Sequence, residues 1–192
     1  MKISIHQPNF FPWFPFFQKM FEVDVFVLLN HAQFVKGGYH NRFHLNEKWY
    51  TMSVDQTSGF VPIKDKIYKK PANDFQTIIR KLPQYEHILD MFYPFMSINV
   101  ATTNGLIIRR IKDFFPFSTQ IVDDYSTKLE ATDRLVDICK RYKADEYLAG
   151  PSGAMYLELH KFAKEGIKVT FQNTNSIIKR PILEILYEWK LI

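Results

Sequence analysis

The stretch His6-Gln7-Pro8-Asn9-Phe10-Phe11-Pro12-Trp13 puts an imidazole, two carboxamides and an indole directly behind a short apolar run. An imidazole is the side chain best suited to take up a proton near neutral pH. The carboxamides of Gln7 and Asn9 both donate and accept, so they can orient a polar ligand. Pro8 and Pro12 stiffen the loop, and Trp13 offers a flat face for a base or a sugar ring. His6 therefore reads as a candidate general base, with Gln7, Asn9 and Trp13 as candidate binding groups. A second candidate is Gly150-Pro151-Ser152-Gly153. Its small residues let the backbone approach a ligand, and a helix opening at Ser152 would present free N–H groups to an anion. A plain tight turn with a helix cap explains this second loop about as well. The HQPN stretch is the more specific of the two.

Other chemistries are weaker. His31, His40 and His44 lack a metal-ligand spacing, and a hairpin carrying exposed histidines outweighs zinc there. Asp123-Asp124 could hold magnesium, but capping or solvation is the simpler reading. Cys139 falls on the apolar side of a helix with Leu135 and Tyr142, as a core residue would. It is the single cysteine, which excludes an internal disulfide and fits a reducing compartment. No residue pattern names a cofactor or a metal. The net charge of +5 is spread along the chain, with only pairs such as Lys69-Lys70 and Arg109-Arg110. A solvated surface is the simpler reading and a cleft for phosphate groups the next, which favours small phosphorylated ligands over a nucleic acid. No apolar run is long enough to insert in a membrane. A signal peptide is also unexpected, because His6 to Asn9 break the first apolar run. The expected location is the cytoplasm.

These groups need elements to position them. The chain reads as a strand at 2–5, a helix over 14–21 and a buried strand at 24–29. A hairpin follows, with arms 41–45 and 48–54 around Asn46-Glu47. A further strand is expected between 61 and 67, and helices over 73–82, 84–96 and 102–115. The rest alternates strictly: strand 119–123, helix 132–142, strand 146–149, helix 152–165 closed by Gly166, strand 167–171 and helix 181–189. This order implies an α/β protein with a mostly parallel, Rossmann-like three-layer sheet and an inserted hairpin and helical segment. It is read as one domain, residues 1–192, in which about 40–115 could form a subdomain. The His6 and Gly150 loops should then leave carboxyl ends of neighbouring strands, on one side of the sheet. Phe14, Phe16, Phe17 and Phe21 should pack beneath the first loop.

Nearly the whole chain resembles the WbqC-like family. The resemblance is carried by IHQPNFFPWFPFFQKMFEVDVFVLLNHAQF, FVKGGYHNRFHL and TDRLVDICKRYKADEYLAGPSGAMYL. Relatives show HQPNY-x-PW behind the first strand, a Q-F-x-K segment, an N-R pair and a late YLSGPSG-x-x-YL signature. The resemblance implies an enzyme of bacterial surface-polysaccharide (O-antigen) biosynthesis, a transferase passing an aminoacyl group such as glycine to the amine of a nucleotide-linked amino sugar. By the same resemblance, Gln33, Lys36, Asn41 and Arg42 supply polar and cationic contacts, and Gly150, Ser152, Gly153 and Tyr156 line an opposite wall. The implied partner is a nucleotide-linked sugar or another phosphorylated small molecule. Two departures stand out: Asn30-His31 replaces a pair of acids, and the stretch before the last helix is reduced to NTNSIIKR. Loss of those acids would suit a sugar-nucleotide-binding protein without catalysis. The strand–loop–helix start also resembles nucleotidylyltransferases at the level of fold, without their histidine pair.

Overall fold

The run Val25-Phe26-Val27-Leu28-Leu29 is apolar without alternation, which suits a strand buried on both faces. The computed structural model, which describes residues 1–57, 59–124, 129–173, 175 and 177–189, shows this. In chain order its strands are β1 (Lys2–His6), β2 (Val25–Leu29), β3 (Arg42–Leu45), β4 (Lys48–Thr51), β5 (Gln120–Asp124), β6 (Glu146–Ala149) and β7 (Lys168–Phe171). Its α-helices are α1 (Phe14–Gln18), α2 (Pro71–Lys81), α3 (Glu86–Asp90), α4 (Val100–Lys112), α5 (Ala131–Arg141), α6 (Leu159–Lys164) and α7 (Ile182–Glu188). The chain forms two units. A sheet unit comprises Met1–His6, Pro15–Leu29 and Phe117–Ile178, and a hairpin unit comprises Gln7–Phe14, Asn30–Pro116 and Lys179–Ile192.

In the sheet unit five parallel strands lie in the order β5-β2-β1-β6-β7. The chain builds outward from β1 through β2 to β5, then returns to the other side of β1 for β6 and β7. The order therefore reverses between β1 and β6. This is the doubly wound, Rossmann-like arrangement, and β1 and β6 are neighbours as expected. On one face Ile3, Ile5, Val25 and Val27 pack with Val136 and Cys139 of α5 and Phe162 of α6. On the other, Phe16 of α1 lies 4.8 Å from Phe26, ring to ring. Cys139 is fully buried, in line with a core role, and burial pushes its thiol up to about 12. Gly166 closes α6 in the left-handed region at φ +71°; it donates to Ala163 O, and Ile167 donates to Phe162 O. That is a Schellman cap, which a side chain at this position would strain.

The hairpin unit has its own aromatic core. Phe11 stacks on Phe75 and meets Phe43 and Phe92 edge-on or tilted, while Phe43 stacks on Tyr50. Asn46 and Glu47 make the two-residue turn between β3 and β4, both with positive φ, as a type I′ turn requires.

Several expected elements differ. Residues 61–67 form a 3-10 turn (Ile63–Asp65) with isolated bridges and no strand, because Pro62 removes a ladder donor. The helix over 14–21 stops at Gln18 and tightens into a 3-10 turn at Lys19–Glu22. The segment 84–96 breaks at Pro94 into α3 and a further 3-10 turn. Phe21 is exposed and rests on Phe117, whereas Phe14, Phe16 and Phe17 are buried. His40, expected on the surface, is buried. Among the described residues, no helix is long and apolar enough to cross a membrane.

Candidate functional site

His6 is the last residue of β1, half-buried, with its ring edge-on to Phe16 at 4.8 Å. The β1–β6 register pairs Ile3 with Tyr147, and the Ser4 hydroxyl donates to Leu148 O at 2.9 Å. Continued, that register sets His6 level with Gly150, where β6 ends. Both groups thus stand at the carboxyl ends of adjacent strands, at the point where the strand order reverses. Open α/β sheets bind their ligands at this point.

The Gly150 segment is not the opening of an α-helix. Pro151–Met155 is a 3-10 turn, Ser152 makes no side-chain cap, and α6 begins only at Leu159. Gly153 N–H donates to Gly150 O, while Gly153 O accepts from Tyr156 and Leu157. The anion-holding helix N-terminus expected here therefore lacks its structural basis. The two glycines differ in kind. A Cβ on Gly153 would meet Leu157 Cδ1 at 3.0 Å and Ala149 Cβ at 3.1 Å. A Cβ on Gly150 would meet nothing within 4 Å, and its φ of −69° suits any residue. Gly153→Ala should thus cost about 1–3 kcal/mol through overpacking, and Gly150→Ala should be nearly neutral. Urea denaturation of the two variants checks this. Ser152 and Tyr156 are exposed.

The HQPN loop continues into the hairpin unit, where a buried polar network holds it. The Gln7 side-chain oxygen lies 2.8 Å from His40 Nε2, and His40 Nδ1 accepts from the Val35 N–H. Accepting at Nδ1 fixes the tautomer, so Nε2 donates to Gln7. Asn104 Nδ2 donates to Pro8 O at 2.9 Å and to His40 O at 2.7 Å, and the Tyr68 hydroxyl lies 3.2 Å from Asn104 Oδ1. Burial pushes the Tyr68 phenol up. Phe10 N–H donates to Tyr39 O. Asn9 is half-buried beside these anchored residues. Trp13 is half-buried, its indole nitrogen buried without a hydrogen-bond partner among the described residues, and its ring lies 6.5 Å from His44.

His40, Asn104 and Tyr68 were not expected at a site. The one available signal was Asn104, a carboxamide among Val100, Ala101, Ile107, Ile108 and Ile111 on the buried side of α4. Burial pushes the His40 imidazole down to about 4, from an ordinary 6.5. Between those values the unfolded chain takes up a proton that folded His40 does not. The contribution of His40 to stability is therefore full above pH 6.5 and is lost as the pH falls toward 4. A loss of roughly 2–3 kcal/mol over that window is expected. Chemical denaturation at a series of pH values should show this slope in the wild type and a flatter one in His40→Gln.

Gln33, Lys36, Asn41 and Arg42 gather around two adjoining clefts of the hairpin unit. The larger, about 760 Å³, includes Gln33, Lys36, Asp55, Thr57 and Lys66; the smaller, about 460 Å³, includes Lys36, Asn41, Arg42 and Lys69. Lys66 is buried, its amine donating to Asp55 O and the Thr57 hydroxyl, and facing Asp55 Oδ1 at 3.2 Å. Partial burial works to raise the Asp55 carboxyl, but hydrogen bonds from Thr57 and Lys66 hold it below the usual range. Asn41 Nδ2 donates to Met52 O at 2.7 Å and so clamps the base of the hairpin. The Arg42 guanidinium lies over Trp49 at 3.9 Å and donates to the carbonyls of Gly37 and Gly38. Those two side chains shape the loop. Lys36 and Lys69 form no ion pair among the described residues and are the cations open to a ligand.

A weaker candidate, Asp124, has a structural partner. Asp124 is buried and accepts from Arg141 at 2.6 Å, and Arg141 also holds Asp137. No group of three or more His, Cys, Asp or Glu residues could hold a metal ion among the described residues.

The sheet unit is doubly wound with an imidazole at the strand-order reversal, and the hairpin unit carries basic clefts. Residues 7–181 match the model of the WbqC-like protein family, and the chain belongs to that family. It is also similar to the uncharacterized protein Rv1507c of Mycobacterium tuberculosis, at 24% identity over 88% of this chain and 81% of that protein. No solved structure matches the chain.

Proposed function

We propose that this protein is a cytoplasmic enzyme of surface-polysaccharide sugar biosynthesis, transferring an aminoacyl group such as glycine to the amine of a nucleotide-linked amino sugar. The observation that carries the reading is His6 at the carboxyl end of β1, level with Gly150 where the strand order reverses. In the proposed step the sugar amine attacks the activated acyl carbonyl. The new C–N bond forms, the acyl–leaving-group bond breaks, and His6 takes the proton released by the nitrogen. Within the hairpin unit taken by itself, Lys36, in the same cleft as Gln33, is the cation proposed for phosphate oxygens. Gln7 and Asn9 orient the substrate, and Trp13 stacks on a ring.

A second reading is sugar-nucleotide binding without transfer. It is favoured by Asn30-His31, of which Asn30 is buried with its carbonyl held by the Lys64 N–H. One experiment separates the two. Purified protein is incubated with a panel of nucleotide-linked amino sugars and glycine supplied as a thioester or on tRNA, and products are read by mass spectrometry. Addition of one glycyl unit to a sugar nucleotide supports transfer. Saturable binding without product supports the second reading, and neither binding nor product overturns both. Binding should also vary little with salt. A steep loss of affinity for mixed-sequence RNA or DNA with rising salt would point to a nucleic-acid partner instead.

A further inference from the structure

The β3–β4 hairpin leaves one edge open. Met52 N–H donates to Asn41 O at 2.8 Å, and the register pairs Arg42 with Thr51, so Asn41 and Met52 stand directly opposite. Ladder bonds alternate along an antiparallel pair. The bonded pairs are therefore Asn41–Met52, Phe43–Tyr50 and Leu45–Lys48, the last in keeping with the two-residue turn. Trp49 and Thr51 must then point their N–H and C=O groups away from β3. Among the described residues these main-chain groups have no hydrogen-bond partner.

Beyond that edge lies a pocket of about 650 Å³. One wall is the whole of β4, Lys48–Thr51; the other is Asp74, Thr77, Ile78 and Lys81 of α2. Side chains alternate between the faces of a strand, so four consecutive residues can share a pocket only along the strand's edge. The α2 residues follow the spacing of one helix face. The pocket is a groove between an edge strand and a helix. Its charge is positive: Lys48 and Lys81 form no ion pair among the described residues, while the Asp74 carboxylate accepts from Ser53 N–H and its hydroxyl.

We propose that this groove takes an extended acidic polypeptide segment, added as a third strand against β4. The main-chain groups of Trp49 and Thr51 bond the peptide backbone, as in other strand-addition sites. Lys48 and Lys81 face its carboxylates. A second copy of this chain fits less well, because it would bring like-charged lysines onto one groove.

The test uses the full chain and a fluorescein-labelled, end-capped hexapeptide of alternating glutamate and valine. Saturable anisotropy is expected, with amide exchange at Trp49 and Thr51 slowed by about tenfold or more on binding. Lys81→Glu should weaken binding about tenfold, and a lysine–valine peptide should bind that variant better than the acidic one. Thr51→Pro removes one edge donor at a position where an edge strand tolerates proline, and should weaken binding further. Lys81→Glu keeps the test open if Thr51→Pro does not fold. Equal binding of a peptide N-methylated at alternate amides, or unchanged exchange at Trp49 and Thr51, would overturn the proposal. So would self-association through this edge in sedimentation without peptide.

Discussion

His6→Ala is expected to lower kcat/KM for aminoacyl transfer by about 10²–10⁴-fold, the usual contribution of a positioned general base. The substitution also removes an edge-on contact with Phe16 at 4.8 Å. A loss of stability of about 1 kcal/mol should accompany it. His6→Phe keeps a ring against Phe16 and separates the two effects. It should restore most of the stability and none of the activity. The wild-type pH–rate profile should contain an ionisation that both variants lack, whereas a purely structural residue would leave that profile in place. Activity of His6→Phe within a few-fold of wild type would remove His6 from the chemistry. The proposed transfer would then need another base.

Asn104→Ala is expected to give the largest loss of stability among single polar substitutions, about 2–4 kcal/mol. Its amide donates to the carbonyls of Pro8 and His40, and its oxygen lies within reach of the Tyr68 hydroxyl. All four residues are buried. Water cannot readily replace the lost bonds, so two carbonyl groups would lose their amide donor in a desolvated setting. Pro8 lies between Gln7 and Asn9, so the same substitution should loosen the HQPN loop and raise KM for the sugar nucleotide more than it lowers kcat. Asn104→Leu, similar in size, should recover little, because the Pro8 carbonyl would lose its amide donor and the His40 carbonyl would keep only the Tyr68 hydroxyl at 3.3 Å. Urea denaturation and a KM–kcat comparison check the two halves separately. Wild-type stability in Asn104→Leu would mean that the network contributes far less than its burial implies.

Some of this protein was legible along the chain, because short-range rules decided it. The apolar run of β2, the turn at Asn46-Glu47 and the cap at Gly166 depend on residues a few positions apart. The alternation of strands and helices at both ends was enough for a parallel sheet, and right-handed crossovers favoured β1 beside β6. The HQPN stretch stood out because its residue types are unusual behind a strand. What the tertiary structure decided were the partners of polar groups far apart in sequence. Nothing around position 40 marks His40 as buried; Gln7 and the Val35 N–H make its burial tolerable, and only the fold brings Gln7 there. Arg42 has the look of a ligand contact, yet its donors meet the carbonyls of Gly37 and Gly38. The GPSG segment had the composition of a helix start and became a 3-10 turn, with Gly153 packed close to Ala149 of β6 and Phe171 of β7. Local propensity follows from neighbours along the chain. The satisfaction of buried polar groups and the clearance around a glycine follow from neighbours in space, which the folded sheet alone provides.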